Sequence, residues 1–152
     1  MQPIIGKLSR YTRDIEDLRC DLLSIIYCLK EGSQNATDTA LFVLSERLIS
    51  YPFHRNMDDE VGAFSSCIYL QCLIDEGVVD DKAQFKHIDC VSLLKATEKL
   101  SLKIREAEER IAKEPSAASR RKTYISWAKD IVGGASQAKD IFINIKKEFL
   151  SN

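Results

Sequence analysis

The 152-residue chain has only two histidines, His54 and His87. The first follows Arg47, with six residues between them, in the string RLISYPFH. At the end of a helix, an arginine and a histidine so spaced could form an RNA-cleaving pair. The imidazole would move a proton and the guanidinium would hold the phosphate charge. The plainer alternative is a helix-terminal arginine followed by a loop histidine. His87 and Cys90 lie three apart and could share a helix face, but a zinc site needs three or four ligands. Cys67 and Cys72 diverge by about 140° around a helix. No CxxC or HExxH occurs, nor do GxxxxGK[ST], GxGxxG or GxSxG. No metal, nucleotide or other cofactor is therefore expected.

The segment from Arg47 to His54 resembles the arginine-to-histidine motif of HEPN-type ribonucleases, which are all-helical and similar in size. The resemblance covers eight residues. That family usually has a polar residue directly after the arginine, where this chain has Leu48, and Pro52 interrupts the motif here. The resemblance implies a helical ribonuclease with Arg47 and His54 at a shared, dimeric cleft.

A second class of chemistry is binding. Ser119-Arg120-Arg121-Lys122 is the densest basic run, with Tyr124 and Trp127 close behind. Such a cluster could touch phosphates or an acidic protein surface. Three positive charges near a helix start oppose the helix dipole, which makes their place there unusual. A stripe of Trp127, Ile131, Phe142, Ile145 and Phe149 runs among Ala128, Gly134, Ala135 and Ala138. Small residues let helix backbones approach closely. Trp127, Phe142, Ile145 and Phe149 are the expected partner-binding residues, with Arg120 and Arg121 as rim charges. Packing on the rest of the same chain is the alternative. The acidic groups Asp58-Asp59-Glu60 and Asp80-Asp81 read as helix-dipole partners rather than catalytic pairs.

Helices must position all of these. Prolines and glycines are sparse and no strand-like alternation persists. A first helix is expected over residues 4–31, with Ile4, Leu8, Tyr11, Ile15, Leu18, Leu22, Ile25 and Leu29 forming a coiled-coil-like seam. Arg10, Arg13, Asp14, Glu16, Asp17, Arg19 and Asp21 mark its wet face, and Gly32 ends it. A second helix over 36–51, capped by Asn35, stops at Pro52. A third over 57–76, capped by Asn56, ends at Gly77. Both are apolar on most sides, so they are expected at the buried centre. Residues 78–86 form a linker.

A fourth helix over 88–113 carries the seam Leu93, Thr97, Leu100, Ile104, Ala107 and Ile111. Its charged end beyond Lys103 is expected to project. Pro115 breaks it, and residues 114–118 are the best hinge. The last segment, 116–152, keeps one seam in phase through Tyr124, Ala128, Ile131, Ala135, Ala138, Phe142, Ile145 and Phe149. It reads as one long helix weakened at Gly133-Gly134 or as two collinear halves with a kink there, since glycine inside a helix costs roughly 1 kcal/mol.

The expected fold is an all-α single domain over 1–152, a bundle of about five helices with long amphipathic N-terminal, fourth and C-terminal members. A net charge of −1 argues against a polyanion binder. Five scattered cysteines (Cys20, Cys28, Cys67, Cys72, Cys90) look like reduced, buried thiols of a cytoplasmic protein rather than a disulfide framework. No signal peptide or spanning segment is expected. The functional expectation is a non-enzymatic helical interaction module (an adaptor, inhibitor or immunity-type protein) with a protein partner or a second copy. A ribonuclease using Arg47 and His54 and a nucleic-acid-associated domain using residues 119–122 are the alternatives.

Overall fold

Apolar residues at alternating third and fourth positions give the first helix a single dry edge, and the bundle is built on that edge. The computed structural model describes residues 10–50, 52, 63–80 and 88–150. In it, α1 spans Arg10–Glu31, and Ile15, Leu18, Leu22 and Ile25 have no exposed surface. Gly32 ends the helix at φ +79, a conformation open to glycine because it lacks Cβ, and its N–H returns to the Cys28 carbonyl. Ser33 then caps α2 (Gln34–Ser45) by accepting from the Ala36 N–H. The expected cap, Asn35, instead lies inside the first turn, because Ser33 follows Gly32 directly and captures the free amides first. The helix continues as one widened π turn, Glu46–Ser50. Tyr51, Asn56 and the start of the expected third helix lie outside the described residues.

Helix α3 (Ala63–Asp75) ends in a Schellman turn. The Val78 N–H bonds the Leu73 carbonyl and the Gly77 N–H bonds that of Ile74, with Gly77 at φ +68. Asp89 caps α4 (Cys90–Ala112), accepting from the Val91 and Ser92 amides. Every residue of the expected α4 seam, from Leu93 to Ile111, is buried. Ser116 caps α5 (Ala117–Gly133), and α6 (Ser136–Leu150) completes the fold. The result is all-α, with six helices and no strand among the described residues.

Four expectations change. The third helix is central as expected, but its partner at the centre is α1 and not the second helix. Helix α3 packs against α1, α4, α5, α6 and the π turn, whereas α2 packs on α1 and leaves Phe42 and Ile49 exposed. Asp14, expected on the wet face, is fully buried. It borders the seam, seven residues from Asp21 and on the same edge of α1. The charged end of α4 does not project. Ile104, Ala107 and Ile111 are buried, and Glu108 is held by Arg19 of α1 and by the Tyr124 hydroxyl of α5. Cys20 is exposed rather than buried, since two residues turn it some 200° away from Leu18.

The final segment divides at Gly133-Gly134. Its seam nevertheless stays in phase, with Ala128, Ala135, Ala138 and Phe142 buried on both sides of the break. The 114–118 link is tied down. The Glu114 carboxylate accepts from the Ser119 hydroxyl and its carbonyl accepts from Arg120 Nη1 at 2.8 Å.

Candidate functional site

The densest polar chemistry of the molecule gathers where the π turn meets α1 and α3. Arg47 is only 3% exposed. Its Nε and Nη2 reach Asp21 Oδ2 on α1, and its Nη1 donates to the Ser65 hydroxyl on α3. The Ser66 hydroxyl donates to the Arg47 carbonyl at 2.6 Å. A buried arginine is tolerated in such a place only if its fork is filled, and Asp21 with Ser65 fills it. Ser65 and Ser66 are themselves fully buried in an otherwise apolar helix, so they too need polar partners, and the π turn supplies them. Cys67 follows directly on α3. Burial pushes its thiol up to about 12, with Lys139 pulling it down and Asp14 pushing it further up.

This arrangement can hold three helical elements in register. It does not present a cation to solvent. A guanidinium that meets a phosphate in a transition state has to face the substrate, and this one is enclosed by Asp21 and Ser65. His54, its expected partner in the ribonuclease reading, lies outside the described residues, as does His87. Cys90 is half-buried. Among the described residues, no three His, Cys, Asp or Glu side chains stand together as metal ligands.

The expected partner-binding residues scatter. Phe142 is 6% exposed and belongs to the core, so in this packing it does not face a partner. Trp127 is half-buried against the core, edge-on to Tyr124 with ring centroids 5.3 Å apart. Arg120 is held by the Glu114 carbonyl, and Arg121 is exposed. Ile145 is 36% exposed. The side chain of Phe149 lies outside the described residues. Arg121 and Lys122 border an open shelf with Ala117, Ala118 and Ile125.

A second buried polar pair ties α3 to α4. Thr97 Oγ1 donates to the Leu93 carbonyl, so the fully buried Tyr69 hydroxyl is the donor in its 2.7 Å bond to Thr97. Burial raises the Tyr69 phenol well above its ordinary value. Burial likewise raises the Glu108 carboxyl, outweighing Arg19 and Tyr124. A cleft of about 210 Å³ opens between α3, α4 and the break after α5. Cys72 lines it, and burial pushes that thiol up to about 11.

Sequence reasoning missed the Asp21–Arg47–Ser65 link. The signal was Ser65-Ser66 inside the apolar run AFSSCIYL, since a polar pair in a buried helix demands partners. No helix among the described residues is long and apolar enough to cross a membrane. Comparison with protein-family models, with curated proteins and with solved structures finds no match.

Proposed function

We propose that this chain is a non-enzymatic helical interaction module that self-associates through the outer face of the α1–α2 hairpin. What carries this reading is the exposure of four large apolar side chains there. Tyr27 is 74% exposed, Phe42 64%, Leu23 54% and Ile49 51%. Leu23 and Tyr27 lie one turn apart on α1, so they form one continuous surface. Phe42 and Ile49 mark the solvent side of α2 and its π turn. Single exposed apolar residues are ordinary, but pairs on one helix face, as Leu23 with Tyr27, mark contact surfaces, and aromatic residues are enriched there. A net charge of −1 leaves little long-range repulsion between two copies. A two-fold axis would set this face against itself.

Two further features support the reading. The fork of Arg47 is taken up inside the fold, which weighs against the ribonuclease alternative. The five free cysteines suit a reducing compartment such as the cytoplasm. The test is solution mass over a range of concentrations, for the parent chain and for Tyr27→Glu with Phe42→Glu. A dimer that the double variant converts to monomer is the expected result. A parent chain that stays monomeric at every concentration overturns self-association.

A further inference from the structure

Gly133 and Gly134 interrupt a seam that is otherwise continuous, yet the docked structure makes no use of their being glycine. Neither has a positive φ, and Gly134 sits at φ −67, ψ −12, open to any residue. A Cβ at Gly133 would meet nothing within 4 Å. At Gly134 it would make ordinary contacts of 3.5 and 3.6 Å with the Ile131 and Asp130 carbonyls. Two glycines weaken a helix and widen the conformations its backbone can reach. That freedom has no role while α6 is docked, and it matters only if α6 leaves.

The attachment of α6 is consistent with leaving. Its main packing partner is α3, its buried positions are Ala138 and Phe142, and Ile141 and Ile143 are only half-buried against the core. The residue before it, Ala135, has no side chain able to cap the first turn. The cap comes from another helix instead. Gln71 Oε1 on α3 accepts from the Ala138 N–H at 3.1 Å, while Gln71 Nε2 donates to Gln137 Oε1 at 3.1 Å and to Asp75 Oδ1 at 2.9 Å. The cleft between α3, α4 and the break borders this junction, lined by Gln71, Gly134 and Ala135.

We propose that α6 is a strap that swings off α3 about Gly133-Gly134 while the rest of the bundle stays folded, with Gln71 as its latch. Opening uncovers the face of α3 that carries Cys67, Ile68 and Gln71, of which Cys67 and Gln71 lie one turn apart. In the docked state these three are 2%, 4% and 9% exposed. This inference stands apart from self-association through α1–α2, since it concerns the opposite end of the chain and a different surface.

The test is native-state hydrogen exchange on the full chain, combined with alkylation of Cys67 read by peptide mass spectrometry, in urea below the unfolding transition. In the parent, α6 amides and the Cys67 thiol should become accessible at least about tenfold more often than α1 amides, with a weaker dependence on urea than α1 amides, because sub-global opening exposes less surface than global unfolding. Gln71→Ala should raise α6 exchange and Cys67 labelling by about fivefold to tenfold, the effect of losing a net hydrogen bond or two. Ile25→Val, which loosens α1 but not α6, should accelerate α1 exchange and leave α6 and Cys67 unchanged. Exchange of α6 and Cys67 at the α1 rate in the parent, rising in step with α1 in Ile25→Val, would overturn the strap.

Discussion

Replacing Arg47 with methionine separates a structural arginine from a catalytic one. The side chain keeps its length and apolar stem but loses the fork. Two guanidinium nitrogens then leave Asp21, and a third leaves the buried Ser65 hydroxyl. Breaking a fully buried ion pair from one side costs about 3–5 kcal/mol, because the other charge stays behind without compensation. Asp21 keeps 26% of its side-chain surface exposed, so water can take over part of the arginine's role. The expected loss is therefore about 2–4 kcal/mol. A domain of this size has about 5–15 kcal/mol in total, so the change should be large on that scale. At about 2–4 °C per kcal/mol, the melting temperature should fall by about 5–15 °C. Urea unfolding followed by circular dichroism measures the loss directly. A cycle with Asp21→Asn should then show coupling of at least about 1 kcal/mol, since the two side chains share one bond set. An Arg47→Met protein within about 0.5 kcal/mol of the parent would refute the structural role. A variant that folds normally yet loses an RNA-cleaving activity present in the parent would restore the catalytic one.

Other expectations follow from the same geometry. Glu108 holds its proton more tightly in the folded state, because burial outweighs Arg19 and Tyr124. Its contribution to stability is therefore full below the unfolded pKa and is lost as pH rises through the folded value. Glu108→Gln should match or exceed the parent at neutral pH and flatten the stability curve above the carboxylate range. Thermal melts across pH check this, and a clear loss at neutral pH would contradict it. Phe142→Ala should cost about 3–5 kcal/mol in urea unfolding, as a core aromatic does, and a near-neutral result would return Phe142 to the surface. Gly133→Ala with Gly134→Ala should stabilise by about 0.4–1 kcal/mol per site, since both positions tolerate a Cβ and the unfolded chain loses freedom. A lower melting temperature in that double variant would mean the break needs glycine geometry after all.

Much of the fold was legible because long seams determine it. The α4 seam from Leu93 to Ile111 could be read from spacing alone and is buried throughout, and the C-terminal seam is buried at Ala128, Ala135, Ala138 and Phe142, with Tyr124 and Ile131 half-buried. Gly32 and Gly77 marked helix ends because only a residue without Cβ enters the left-handed region cheaply. The layering was less legible. Helix α2 is rich in apolar residues, yet composition does not say which side meets the bundle. Its inward face is set by Ala40, Leu44 and Leu48 against α1, which leaves Phe42 and Ile49 outside. A count of hydrophobic residues rewarded the large exposed ones and overlooked the small buried one.

Arg47 was misplaced for a related reason. From Ala40, steps of four and three lead to Leu44 and then to Arg47, so the arginine stands on the inward stripe of its own helix. A stripe begun instead at Thr37 and Leu41 steps past Arg47 to Leu48. Starting from an alanine gives up apolar area, but a small residue is what lets α2 lie close on α1, and closeness is what brings Arg47 within reach of Asp21. Asp21 and Asp14 were read as solvent-facing because they are charged, yet each borders the α1 seam. A charge beside a seam is a solvated residue only if no partner is delivered to it from another element. Here the π turn delivers a guanidinium to Asp21, and α3 holds that guanidinium in place through the Ser65 hydroxyl. The feature that made Arg47 look like a catalyst, a lone arginine at the end of an apolar helix, is the same feature that makes it a tie between three elements. Only the location of its partners, far apart in sequence, decides between the two.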